Sequence, residues 1–339
     1  MLKGEMLLEE VTRWGIARRT LAVVFAILVV LFAATTLAGQ WYKAERIRRA
    51  REYFELAGRL EKSGRHAAAV EEYRNALGIA PGNPSYRLAL ARALIRLHRD
   101  DEAALYLQEV LRAHPSNAVP DLELARIAVR QGRDEAAADY YQRAIYGQWP
   151  DHAAQNRLEA RWELVSLLQR GAKGRELAAQ LLEISAEARD DLAARKRAGA
   201  MLAALGAADQ AAEVYRDLLR DAPRDAEAET GLGQAEVARG NFAGARRAFR
   251  RALQENENDA AARRGLDLTN EVLALDPAAP RISARERERR ENVLARRAAA
   301  ALAECGVTVP PGQTAEDLWN ERERSCGGRP TADRALALL

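Results

Sequence analysis

The chain has 339 residues, and its 52 lysines and arginines nearly balance its 49 aspartates and glutamates, for a net charge of +3. That charge is too weak to imply a nucleic-acid partner, and the 30% charged content suits solvated helix faces. No strand-like alternation of apolar and polar residues runs anywhere along the chain.

Residues 1–19 form a short tail of mixed charge, with Lys3, Arg13, Arg18 and Arg19 set against Glu5, Glu9 and Glu10. Thr20 to Gly39 then reads TLAVVFAILVVLFAATTLAG, and no charge occurs between Arg19 and Lys43. About 20 helical residues span roughly 30 Å, the thickness of a bilayer's hydrocarbon core. Trp41 and Tyr42 stand where an interfacial aromatic belt would. A cleaved signal peptide is the competing reading, but the run is long and bulky residues come directly after it, so residues 20–40 are expected to be an uncleaved transmembrane helix. Four lysines and arginines precede the span and five lie in Lys43–Arg51, which leaves orientation open under the positive-inside rule. No proline or glycine interrupts residues 41–51, so the anchor is expected to run on into the next region as its first helix.

From about residue 50 the chain is built of repeats. Gly64, Ala69, Tyr73, Ala76 and Pro81 return 34 residues later as His98, Ala103, Leu107, Val110 and Pro115, then as Gly132, Ala137, Tyr141 and Ala144, with Pro150 at the stop. The pattern comes back at Gly206, Ala211, Tyr215, Leu218 and Pro223, and again at Gly240, Ala245, Phe249 and Ala252. A second column precedes each turn: Leu56-Ala57, Leu90-Ala91, Leu124-Ala125, Ala198-Gly199 and Leu232-Gly233. Each such pair marks a first helix whose small residue admits a close neighbour, so each unit is helix, turn, helix. The pattern resembles the tetratricopeptide repeat, with its 34-residue period, leucine–small pair, alanine, aromatic and proline. The resemblance spans roughly residues 50–275 and implies an all-α solenoid that binds other proteins.

Gly132 and Gly206 are 74 residues apart, six more than two periods. The fourth unit is therefore expected to be degenerate, with a first helix around Leu158, Trp162, Leu164 and Leu168, a turn at Gly171 and a second helix over Arg175–Glu187. In the sixth unit Glu236 takes the place of a large apolar residue, and Asn256-Glu257 that of the proline. A capping half-repeat with Leu266, Leu268, Val272 and Leu275 stops at Pro277. Beyond it a charged, alanine-rich helix is expected over Ala284–Glu304, and Thr314 with Asp317 reads as the start of a short helix to about Arg324. The expected layout is thus a tail at 1–19, a transmembrane helix at 20–40, a solenoid of about six repeats at 41–275 and a small helical tail at 276–339.

Chemistry is sparse. His66, His98, His114 and His152 lack metal-ligand spacing, carboxylate pairs such as Glu71-Glu72 and Asp100-Asp101 read as solvated, and no nucleophile or phosphate loop is recognisable. No enzyme, metal or cofactor is expected. Cys305 and Cys326 are separated by 20 residues with a Pro-Gly turn between them. One reading is a disulfide worth about 3 kcal/mol, the other two unrelated buried thiols. A bridge implies an oxidising compartment and places the repeats in the periplasm of a bacterium, on a single-pass protein of the inner membrane.

A basic residue stands two before the turn at Lys62, Arg96 and Arg130, and Arg170 lies just before the irregular one; Arg92 and Arg126 lie one helical turn earlier. One reading is helix ends favourable to the dipole. The sharper one is a strip formed by Arg92, Arg96, Arg126 and Arg130 that holds extended or acidic segments of partner proteins. The expected function is a non-enzymatic, membrane-anchored scaffold of the cell envelope that assists assembly or translocation or acts like a chaperone. The alternative is a cytoplasm-facing adaptor of a membrane complex. A second copy of the chain is a further possible partner, because Ala22/Ala26 and Ala34/Ala38 are small pairs four apart.

Overall fold

The structure, a computed structural model, describes residues 2–304 and 313–326. It falls into two compact units, residues 1–151 and 152–339. The first unit holds α1 (Leu2–Lys62), α2 (His66–Ile79), α3 (Pro84–Arg96), α4 (Asp100–Ala113), α5 (Ala118–Arg130) and α6 (Asp134–Tyr146). The second holds α7 (Ala153–Arg170), α8 (Gly174–Glu187), α9 (Leu192–Ala204), α10 (Ala208–Asp221), α11 (Ala226–Ala238), α12 (Phe242–Glu255), α13 (Ala260–Leu275), α14 (Ala284–Glu304) and α15 (Ala315–Cys326). Among the described residues the fold is all-α, and the only bridge pairs Asn117 with Gln148.

Six hairpins succeed one another, each made of a first helix (A) and a second (B): α1/α2, α3/α4, α5/α6, α7/α8, α9/α10 and α11/α12, with α13 as the half-repeat. Every A-to-B turn has the same length, and its middle residue is left-handed: Gly64, His98, Gly132, Ala172, Gly206 and Gly240. The turn closes when the next residue donates its backbone N–H to a carbonyl in the last helical turn, as Arg65 does to Leu60 O at 2.9 Å, which satisfies otherwise orphaned helix carbonyls. The fourth turn begins at Gly171, as expected, but its left-handed place falls one residue later. Gly171 has an ordinary φ of −79°, and Ala172 takes the left-handed place with φ 52°. The extra residues there lengthen α7 to 18 residues, against 13 in α3, α5, α9 and α11.

The B-to-A connections have their own recurring device. Asn83, Asn117, Asp191, Asp225 and Asp259 each accept hydrogen bonds from backbone N–H groups in the first turn of the next helix. Such caps contribute about 1 kcal/mol each.

The core lies along the repeat columns. Ala69, Ala103, Ala137, Ala211 and Ala245 are fully buried, and in the fourth hairpin Leu177, Leu181 and Ile184 fill the places of the missing alanine and aromatic columns. Tyr215 of α10 lies between two glycines: a Cβ added at Gly199 of α9 or Gly231 of α11 would come within 2.9 Å or 2.3 Å of its ring. Phe249 of α12 is held in the same way between Gly233 of α11 and Gly265 of α13. Glu236 is buried. It accepts from Arg216, Arg239 and Asn241 at 2.8–2.9 Å, so an ion-pair network fills the volume that a large apolar side chain takes elsewhere.

The expected helix over 284–304 is α14. Thr314 and Asp317 form a reciprocal capping box at the start of α15, with Thr314 Oγ1 accepting from Asp317 N and Asp317 Oδ2 accepting from Thr314 N. Leu294, Ala298, Leu302, Leu318 and Trp319 of these two helices close over Phe242 and Val272. At the other end α1 is continuous through residues 20–40 into the first hairpin. It packs from Ala50 onward, while Phe25, Leu28, Val30, Phe32 and Leu37 are exposed. This helix is long and apolar enough to cross a membrane.

Candidate functional site

The four arginines singled out in the sequence lie on two neighbouring A helices of the first unit, Arg92 and Arg96 on α3 and Arg126 and Arg130 on α5. Their side chains are 31–57% exposed, so all four are accessible. The strip is not a bare row of cations. Arg92 Nε pairs with Glu123 Oε1 at 3.0 Å, and Arg126 approaches Glu123 Oε2 at 3.7 Å. Arg96 Nε meets Glu61 Oε1 at 3.1 Å, and the Tyr73 hydroxyl donates to the other oxygen of Glu61 at 2.9 Å. Arg130 grips Asp100 with two hydrogen bonds, of 2.9 and 2.8 Å. Those bonds raise its own pKa further. Asp100 is therefore not the solvated carboxylate expected from sequence. It ties α4 to α5, and its neighbour Asp101 accepts from Gln131 across the same contact.

Four guanidinium groups against the three carboxylates Glu61, Asp100 and Glu123 leave a net charge of +1 on the strip. Glu123 is the residue that sequence reasoning missed, and it has most leverage, because its side chain is only 11% exposed and two arginines hold it. The signal was present: Glu123 precedes Arg126 by three, the spacing of neighbours on one helix face.

A second charged column went unread in sequence. Arg87, Asp121, Arg161, Arg195 and Glu229 each stand eleven residues before the left-handed residue of their hairpin's turn. Each pairs with the B helix of its own hairpin. The pairs are Arg87–Glu109 at 3.0 Å, Asp121–Arg143 at 2.9 Å, Arg161–Glu187 at 2.9 Å, Arg195–Asp221 at 2.6 Å and Glu229–Arg251 at 2.7 Å. The A-helix member is Arg in three hairpins and Asp or Glu in two, while the place does not change. Burial pushes the carboxyls of Asp121 and Glu229 above their usual range, despite the opposing pull of Arg143 and Arg251. Glu236 has a different balance: burial pulls it up, but hydrogen bonds from Arg216 and Asn241 and the charge of Arg239 hold it below that range.

Two open grooves accompany these features. One, of about 470 Å³ in the first unit, is lined by Gln108, Leu111, Arg112, Asp121, Tyr140 and Arg143, with the Arg143 guanidinium over the Tyr140 ring at 4.4 Å. The other, of about 320 Å³ in the second unit, lies between α11 and α13 over Phe249. No group of histidine, cysteine or carboxylate side chains among the described residues is arranged to hold a metal ion. The Cys305–Cys326 pair falls outside what is described, since Cys305 lies in the segment 305–312.

Models of the tetratricopeptide repeat match residues 60–108 and 202–266, and a second such model matches 88–153. No curated protein sequence matches the chain. Among solved structures, a tetratricopeptide repeat protein from Parabacteroides merdae is similar at 17% identity and a TM-score of 0.41, covering 86% of this chain and 98% of that one. YrrB, described as a TPR protein with an unusual peptide-binding site, is similar at 17% identity and a TM-score of 0.40 over 58% of this chain and 99% of its own. PilW, described as a type IV pilus biogenesis factor, is similar at 15% identity and 0.37 over 64% and 98%. Repeat period, turn geometry, buried columns and family models agree that the chain carries tetratricopeptide repeats.

Proposed function

We propose that this protein is a membrane-anchored scaffold of the bacterial envelope. Residues 20–40 hold it in the inner membrane, and its first unit binds an extended, acidic segment of a partner protein. The observation that carries the proposal is the continuity of α1: one helix bears an exposed apolar stretch long enough to cross a bilayer and then packs as the first helix of the repeats. Tetratricopeptide repeats bind other proteins, so tethering and recognition meet in a single rigid element. The binding strip is Arg92, Arg96, Arg126 and Arg130. Arg92 and Arg96 spend Nε on internal carboxylates, and a partner's carboxylates are read by their outer nitrogens, whose fork geometry suits two-point contacts.

We assign the repeats to the periplasm on the reading that Cys305 and Cys326 form a bridge, which would suit an oxidising compartment. A phosphatase reporter fused after Glu52 is then active, and thiols in non-reduced protein resist alkylation. Reversed reporter activity with free thiols hands the case to the cytoplasm-facing adaptor.

Partner capture from native membranes by in-cell crosslinking tests the strip. Reversing Arg92 and Arg126 together is a poor probe, because Glu123 then stays buried against two like charges. Arg92→Gln with Arg96→Gln keeps donors and removes charge. Capture falls about tenfold or more, a loss of about 1.4 kcal/mol, while Arg49→Gln with Arg51→Gln leaves it unchanged. Equal losses from both pairs mean diffuse attraction, and no loss from either moves the partner elsewhere.

A further inference from the structure

We infer that the connection between α2 and α3, residues Gly78 to Ser85, is a second membrane contact that lies in the polar headgroup layer beside α1. The inference rests on the reading of residues 20–40 as the membrane span. It concerns how the repeats meet the bilayer, which that reading leaves open.

The connection is tied to α1 just beyond the span. Arg46 donates from Nη2 to the carbonyl of Ile79 at 2.5 Å. Ala50 is buried with Ala76 and Tyr86, and Ile79 and Ala80 pack on the same cluster. Phe54 stacks on Tyr86 with ring centroids 4.7 Å apart, which fixes the start of α3 against α1. Arg46 is six residues past Gln40, about 9 Å along the helix axis at 1.5 Å per residue. Helical side chains lean toward the N-terminus, so the guanidinium and the carbonyl it holds sit nearer the bilayer than that. The polar layer of a membrane is about 5–8 Å thick on each side. Trp41 and Tyr42, 72% and 60% exposed, occupy the boundary on the same helix.

Composition sets this connection apart. No charged residue occurs from Asn75 to Tyr86, where the sequence reads NALGIAPGNPSY. The window one period on carries Glu109 and Arg112, the next Arg143 and Asp151, and those in the second unit are denser still: Asp217, Arg220, Asp221, Arg224, Asp225 and Glu227, then Arg251, Glu255, Glu257 and Asp259. Only the connection closest to the span lacks charge. Pro81, Gly82 and Ser85 are exposed on it. An uncharged, proline- and glycine-containing loop enters the interfacial layer without desolvating an ion, while Lys43 and the arginines of α1 meet anionic headgroups beside it. The A-to-B turn at Ser63 lies at the far end of the same hairpin. Lys62 is 22 residues from Gln40, about 33 Å along the axis.

The test uses the full chain with Cys305→Ser and Cys326→Ser, reconstituted in phosphatidylcholine vesicles containing phosphatidylglycerol. A nitroxide is placed at Gly82→Cys or at Ser63→Cys. A Cβ at Gly82 meets nothing within 4 Å. Ser85→Cys is a second site on the same loop, should the first variant lose helical content. In protein that floats with the vesicles, the ratio of oxygen to water-soluble nickel collisions is several-fold higher at residue 82 or 85 than at 63. Equal ratios in floated protein overturn the inference and leave the anchor standing. Protein that fails to float overturns both.

Discussion

Gly265→Ala sets two effects of opposite sign against each other. In a helix interior, alanine is favoured over glycine by about 1 kcal/mol. Against this, the new Cβ would stand 2.3 Å from Phe249 Cζ, with two further ring carbons at 2.5 and 2.6 Å. Ordinary carbon contacts lie at about 3.5–4.0 Å, so the ring must retreat by more than 1 Å. It has nowhere to go, because Phe249 is 1% exposed and its other face meets the glycine side of α11, where a Cβ on Gly233 would be 2.5 Å away. Overpacking of this kind costs about 1–3 kcal/mol, and confinement from both sides puts the site at the upper end, for a net loss of about 1–2 kcal/mol. Gly58→Ala is the control. Its Cβ would meet only the Tyr73 hydroxyl, at 4.0 Å, so the propensity term acts alone and stabilises by about 0.5–1 kcal/mol. The assay is urea unfolding of a fragment starting at Lys43, monitored by circular dichroism. Gly265→Ala should lower the midpoint and Gly58→Ala raise it, and Phe249→Leu should relieve the first. If Gly265→Ala stabilises as much as Gly58→Ala, the aromatic-between-glycines packing is wrong.

The same packing and charges set four other outcomes. Ala137→Leu, at a fully buried site, should destabilise by about 1–3 kcal/mol, whereas Glu71→Ala, 65% exposed in a pair with Arg74, should change stability by less than about 0.5 kcal/mol. Arg143→Ala leaves Asp121 buried without its partner and should cost about 3–5 kcal/mol at neutral pH. Because burial raises the folded-state pKa of Asp121, the folded form binds more protons. This penalty therefore shrinks as pH falls through the folded value and is gone below the unfolded value of about 3.9. Asp259 runs the other way. Hydrogen bonds from the backbone of Ala262 and from Thr230 hold it low, so its contribution is present above about pH 3.9 and is lost as pH falls through the folded value. Asp259→Asn should therefore flatten the acid limb of a stability–pH curve, and an unchanged limb would remove that cap from the account.

The hairpins were legible because two kinds of residue leave strong marks: turn residues that tolerate a left-handed backbone, and small residues at close helix contacts. The fourth turn shows where this fails. Gly171 attracted the register, but six extra residues are absorbed mainly inside α7, so the left-handed place falls on Ala172. Glycine permits that conformation without requiring it. The Asn and Asp caps, the glycine partners Gly231 and Gly265, and the ion pairs of Arg87, Asp121, Arg161, Arg195 and Glu229 recur at fixed places in the hairpins yet were not read. A sign that differs between repeats hides a column that is constant only in being charged. The four arginines lie on adjacent A helices, and Glu61 and Asp100 approach them from other helices at separations that no local pattern reveals.

Whether the protein is tethered to a membrane by α1 is decided most directly by alkaline carbonate extraction of membranes holding the full chain, the fragment from Lys43, and Val29→Arg with Phe32→Arg. Each arginine at mid-span costs roughly 2.5–3.5 kcal/mol of insertion. The account predicts that the full chain stays in the membrane pellet and that the fragment and the double variant are released. Release of the full chain, or retention of the fragment, would contradict it.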